Sequence, residues 1–242
     1  AFWRKSAYPL VAVKAYLLGL ANSNFEDWYR ACEGSDLSQF PFSLEKLASS
    51  RSPLLDMKKV EDYAKDEIAR MPQAHFDKEI LAWADLHDKT LFDAMMADPE
   101  YTSQVLAIER TGDKPRKDIA KWSDAPEQFG YFYDDIFAVS DKESSDDMAA
   151  GDAAAALSIF VENYDHKADK DTWFENMKRA AESAGYALDR KDLKENPDKY
   201  KGGISDFAKI IRVSLTGKSR TPDLWTIMQI MGEPRVKNRL PA

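Results

Sequence analysis

Nine basic residues crowd the chain from position 199 onward: Lys199, Lys201, Lys209, Arg212, Lys218, Arg220, Arg235, Lys237 and Arg239. Only Asp206, Asp223 and Glu233 oppose them, so this segment carries +6 while the 242-residue chain carries -8. A positive end on an acidic chain is the electrostatic footprint of a surface that meets a phosphate backbone. The other reading is a solvated helical surface without a ligand, and charge alone does not choose between them. A second basic stretch, residues 110–121, sets Arg110, Lys114, Arg116, Lys117 and Lys121 against Asp113 and Asp118.

Other chemistry finds little support. His75, His87 and His166 stand far apart, with no cysteine or carboxylate at metal-ligand spacing, so no metal site is expected. Neither G-x-x-x-x-G-K-[ST] nor G-x-G-x-x-G occurs, and Gly202-Gly203 reads as a turn. The acid pairs Asp134-Asp135 and Asp146-Asp147 lack apolar surroundings that would raise a pKa, so they read as solvated acids rather than general acids. No catalytic residue is assigned. The single cysteine, Cys32, excludes an internal disulfide and fits a reducing cytoplasm. No run of eighteen apolar residues would cross a membrane. The apolar opening Ala1-Phe2-Trp3 suggests a piece cut from something longer.

The elements that must position the basic residues are helices, and the fold class expected is all-α. Pro9 opens a helix whose apolar residues Leu10, Val13, Tyr16, Leu17 and Leu20 recur at helical spacing. Ser43 and Asp56 stand as N-caps, the latter for a helix running to Arg70. Further helices are predicted over 73–97, with an interruption allowed, then 99–109, 148–164, 170–184, 204–216 and 222–231. Thr221 is expected to cap the last of these, with Pro222 in its first turn and Gly232 past its end. Between Asp134 and Asp152, seven acids face one lysine, which predicts an exposed linker and helix start.

Particular motifs resemble those of bacterial-type glutamyl-tRNA synthetases. At the C-terminal end that family reads R-x-A-L-T-G, P-x-L and L-G-x-E-R-V-x-x-R-L. Here stand Arg212-Val213-Ser214-Leu215-Thr216-Gly217, Pro222-Asp223-Leu224, and Met231-Gly232-Glu233-Pro234-Arg235-Val236-Lys237-Asn238-Arg239-Leu240. Near the start, Ala7-Tyr8-Pro9-Leu10-Val11-Ala12-Val13-Lys14-Ala15-Tyr16-Leu17 is similar to G-Y-x-P-E-A-V-x-N-Y-L, one residue shorter. Phe42-Ser43-Leu44-Glu45-Lys46-Leu47 matches F-S-L-E-x-L. The middle, about 70–200, agrees only in helical pattern. The H-I-G-H and K-M-S-K-S motifs of the catalytic domain are absent. Glutaminyl enzymes are near relatives, but their tails are β-barrels, which the helical pattern argues against.

The resemblance implies a stem-contact segment over 1–70 and two helical anticodon-binding domains over 71–140 and 141–242. It implies a non-catalytic, cytoplasmic, monomeric portion of a glutamate–tRNA ligase, with ATP and magnesium used by the parent enzyme and no cofactor held here. The expected partner is a glutamate-accepting tRNA, with the glutamine-accepting one left open. Arg116 is expected to contact an anticodon base, with Lys114 and Lys117 on neighbouring phosphates; a basic loop without ligand is the alternative. Arg212 reads equally as an RNA contact or as the partner of an internal acid. Thr216 and Gly217 close a helix and offer backbone donors, while Lys218, Arg220, Arg235, Lys237 and Arg239 are backbone-contact candidates in loops or a polar end segment. Trp225 and Met228 read as core. The competing functions are a free-standing synthetase-derived tRNA-binding or regulatory module and an acidic helical protein-interaction domain.

Overall fold

The computed structural model describes residues 7–32, 36–47, 55–112, 114–143 and 150–240. Every regular element among them is helical, and pairing of extended backbone is confined to two isolated bridges, Asn22 with Leu47 and Ala187 with Gly203. The chain is all-α. It divides into two compact units, 1–130 and 131–242.

The first unit opens with α1 (Leu10–Ala21), α2 (Phe25–Ala31) and α3 (Met57–Arg70). Small residues on one side of α1, Ala12 and Ala15, are fully buried, and α3 packs against this helix. Around them Tyr16, Phe25, Tyr29, Phe40, Val60 and Tyr63 form an aromatic core, with the Phe25 and Phe40 rings edge to face at 5.0 Å. The Asp56 carboxylate accepts from the Lys58 and Lys59 amides, as an N-cap should. Its own amide donates to the Tyr16 hydroxyl at 2.8 Å, which ties the start of α3 to α1.

Three helices follow: α4 (Gln73–His87), α5 (Lys89–Ala97) and α6 (Pro99–Leu106). The interruption in the long amphipathic run falls at Asp88, whose side chain accepts from the Leu91 amide at 3.0 Å and restarts the helix. Asp98 does the same for Tyr101. Phe76, Ile80, Ala84, Leu91, Met95 and Leu106 are buried, and Trp122 and Phe129 close over Phe76 at 6.1 and 6.3 Å between rings. Phe129 ends α7 (Ala125–Phe129).

The second unit contains α8 (Asp134–Val139), α9 (Ala150–Glu162), α10 (Lys170–Ser183), α11 (Arg190–Glu195), α12 (Ile204–Thr216), α13 (Leu224–Met231) and α14 (Glu233–Arg239). Phe160, Trp173, Met177, Tyr186, Phe207, Ile211 and Leu215 are buried where α9, α10 and α12 meet. Leu224, Ile227, Met228, Met231 and Val236 bury the inner faces of α13 and α14.

Four readings of the sequence change here. The start of the acidic stretch is not linker: Asp134 and Asp135 begin α8. Ser144, Ser145, Asp146, Asp147 and the expected helix start at Met148 lie outside the described residues, as do Phe2 and Trp3. The helix placed at 222–231 starts two residues later, because Asp223 rather than Thr221 is the cap, accepting from the Thr226 amide at 3.1 Å. Arg190–Glu195 forms a short helix that no strong apolar period announces. Finally, the end segment is helical: Gly232 (φ 79°) turns the chain and Pro234 sits in the first turn of α14, where its missing N–H costs nothing.

Candidate nucleic-acid interface

In the first unit the basic stretch leaves α6 through a tight turn. Glu109 there adopts positive φ (51°), and its carbonyl accepts from the Arg116 amide at 2.9 Å, closing the loop. Arg110 turns inward. Its guanidinium lies 3.6 Å from the centroid of the Phe76 ring and donates to the carbonyls of Ile68 and Met71, each at 3.0 Å, and to Gln73 Oε1 at 3.1 Å. It pins α3 to α4, a role the sequence count of basic residues concealed.

Arg116 stays at the rim. Its guanidinium pairs with Asp118 and, at 3.6 Å, with Glu109, leaving 21% of the side chain exposed. Lys117 reaches Asp66 on α3 at 2.6 Å, and Lys114 is exposed. The structure therefore brings Lys114, Arg116 and Lys117 onto one loop, but with acids beside two of them.

The second unit holds the remaining candidates. α12 ends at Gly217, whose φ of 73° lets the chain reverse; a Cβ there would meet the Lys142 side chain at 3.2 Å. The buried Thr216 hydroxyl donates to the Arg212 carbonyl at 2.7 Å and accepts from the Lys218 amide at 3.1 Å, so it stiffens the turn. From this turn Lys218 and Arg220 project; Arg220 is exposed and, among the described residues, has no carboxylate partner. Arg212 pairs with no acid among the described residues, and its buried Nε lacks a hydrogen-bond partner. Lys237 is exposed and pairs with Glu233 one turn earlier at 2.7 Å.

Arg239 differs from all of these. Only 5% of its side chain is exposed. The guanidinium sits over the Phe137 ring at 4.0 Å and donates to the carbonyls of Tyr131 (2.5 Å) and Leu215 (2.8 Å) and to Asp134 (2.5 Å). Arg235 joins the same carboxylate at 2.8 Å. Burial works to raise the Asp134 pKa, but the hydrogen bonds from Arg239 and Arg235 prevail and hold it below the usual carboxylate range. Arg239 thus fastens α14 to α8 and to the end of α12 and is not available at the surface. The sequence could not show this, since its partners lie 24 to 108 residues away. Trp225 donates its indole N–H to the Ala168 carbonyl at 3.2 Å and Met228 is fully buried, so both belong to the packing.

What remains in the second unit is the turn after α12, with Lys218 half-buried and Arg220 exposed, and in the first unit the loop with Lys114, Arg116 and Lys117. Each of these, taken by itself, has the cationic side chains that can pair with phosphate. Among the described residues no group of three histidine, cysteine or acidic side chains is placed to hold a metal ion, and no helix is long and apolar enough to cross a membrane.

Comparison with known proteins gives the family. Residues 91–242 match the family described as "Anticodon binding domain". The chain belongs to that family. It is 37% identical over 239 residues to the glutamate–tRNA ligase of Acetivibrio thermocellus, covering 99% of this chain and 43% of that protein. The ligases of Clostridium perfringens (37% over 246 residues) and Sorangium cellulosum (36% over 241) align over 99% of this chain and 44% and 42% of their own lengths. This anticodon-binding chain therefore spans less than half the length of the curated relatives it matches.

Proposed function

We propose that this chain is the tRNA-binding portion of a glutamate–tRNA ligase, holding the anticodon stem-loop of a glutamate-accepting tRNA while a catalytic portion acts at the other end. The carrying observation is the alignment of nearly the whole chain, at 37% identity, with ligases of that name. The turn at 216–220 supports it, because it carries two cations, Arg220 exposed and Lys218 half-buried, of the kind that pair with phosphates. In this reading Arg116 meets an anticodon base, Lys114 and Lys117 flank it on phosphates, and Lys237 extends the backbone contacts of the second unit.

The same reading makes 1–70 a stem-contact segment and 71–140 and 141–242 the anticodon-binding portions. ATP and magnesium belong to the catalytic portion of the parent enzyme, and this chain works as a cytoplasmic monomer. The glutamine-accepting tRNA is the alternative cargo.

The test is titration of the chain with fluorescent transcripts of glutamate, glutamine and an unrelated tRNA across a salt series. Preferential binding of the glutamate transcript, falling linearly in log–log with salt, is the expected result. Equal affinity for all three, or none at low salt, overturns the assignment.

A further inference from the structure

Two acids, one before α9 and one in its first turn, bond to groups of the basic tail. Glu143 reaches the turn after α12: its carboxylate accepts from the Ser219 amide at 2.7 Å, and its own amide donates to the Gly217 carbonyl at 2.8 Å. Asp152, at the start of α9, pairs with Lys201 at 2.7 Å, and both side chains are 44% exposed. These contacts span 76 and 49 residues of sequence; the first falls on the turn proposed above for RNA, the second on another lysine of the same basic tail.

We infer that Glu143 occupies an anion site at the Ser219 N–H, next in the chain to Lys218, where an RNA phosphate oxygen would bind, and that Asp152 holds a like place at Lys201. Two features of the site favour a removable occupant over a structural one. The backbone bond from Glu143 to Gly217 already holds this segment, so the carboxylate is not needed to anchor it. Glu143 is exposed, which makes exchange for a solvent-borne anion cheap. The site also suits an anion: the Ser219 hydrogen bonds, then the charges of Lys218 and Lys209, hold the Glu143 pKa below the usual value. A phosphate entering here would inherit the same amide and cation. Asp134 is excluded from this role because its partner Arg239 is buried. Internal acids would thus set a threshold that weakly bound, wrong RNAs fail to cross.

The inference rests on the proposed function, and the experiment separates the two. Affinity for the glutamate transcript is measured for the wild-type chain, Glu143→Gln, Lys218→Ala and the double variant. Removing the competing charge should tighten binding about three- to fivefold, the scale of an exposed ion pair. That gain should vanish in the Lys218→Ala background. Asp152→Asn, tested with and without Lys201→Ala, should repeat the pattern at a pair too exposed to matter for folding. Unchanged or weaker binding by Glu143→Gln, or a gain that survives Lys218→Ala, overturns the inference while leaving the function intact. A wild-type chain that binds no tRNA overturns the function instead.

Discussion

Each unit contains a basic region and each region contains one arginine that never meets solvent freely, yet the two are built differently. In the first unit the internal arginine, Arg110, belongs to the same loop as the candidate base reader Arg116, six residues on. In the second, the internal arginine is Arg239 on α14, while the candidate contacts Lys218 and Arg220 leave the turn after α12. Loop and fastening are thus coupled in one unit and divided between elements in the other. The difference teaches that an arginine's role follows from what surrounds its planar donor fork. A ring face with converging backbone carbonyls makes a fastener, whereas an exposed turn leaves the charge for a ligand.

The largest expected effect breaks the second fastener. Arg239→Met strips Asp134 of its closest partner and takes one donor from each of the Tyr131 and Leu215 carbonyls. We expect a loss of about 3 kcal/mol, at the low end for a broken buried pair because the Asp134 side chain is 57% exposed. Denaturant unfolding followed by peptide-resolved hydrogen exchange should confine that loss to residues 131–242. A loss under about 1 kcal/mol would show that solvent replaces the fastening bonds.

Next comes the coupled case. Arg110→Met should cost about 2 kcal/mol in the first unit, for two carbonyls and the Phe76 contact. Because the loop is shared, it should also weaken recognition through Arg116. Arg239→Met, in folded protein, should leave the affinity contributed by the 216–220 turn less affected. Equal binding defects per kcal/mol of lost stability would erase the contrast.

Smaller effects concern the exposed candidates. Arg116→Ala should cost about 1–3 kcal/mol in binding and blunt preference among anticodons, without lowering the unfolding midpoint. Arg220→Ala should weaken all tRNAs alike and flatten the salt slope by about one. Selective loss in the second variant and uniform loss in the first would exchange the roles given to the two regions.

Much of this fold was legible in the residues. Asp56, Gly217 and the Ile204–Thr216 period fixed their elements to the residue, because capping and left-handed turns are local physics. The misses were of two kinds. Asp223 displaced Thr221 as a cap, and Pro234 opened a helix where only a polar tail was expected; both are local choices between adjacent competent residues. The roles of Arg110, Arg239 and Asp134 were hidden for a different reason: they depend on carbonyls and rings brought near by the fold, which no spacing rule reports. In the candidate site, the turn carrying Lys218 and Arg220 was visible and the acid resting on it, Glu143, was not.

Acid titration gives the last and smallest contrast, and its sign differs between the two fasteners. Near Arg110, Asp77 has a raised pKa: burial lifts it, and the hydrogen bond from Gln73 and the charge of Arg110 only partly oppose this. A raised folded pKa means the unfolded chain releases its proton first. Asp77 therefore favours the fold most below its unfolded value of about 3.9, and that contribution is lost as pH rises through the folded pKa. Asp134 is the reverse. Its folded pKa is lowered, so its contribution is present above about 3.9 and disappears as pH falls through the folded value. Both carboxylates have considerable solvent access, so each effect is screened and small. Between pH of about 5 and 3 the local terms should nevertheless move in opposite directions. Asp77→Asn should flatten the response of residues 1–130, and Asp134→Asn that of residues 131–242, in exchange measured peptide by peptide. Parallel responses in the two variants would mean that the surroundings of Arg110 and Arg239 do not differ electrostatically, and that the two fasteners are one device used twice.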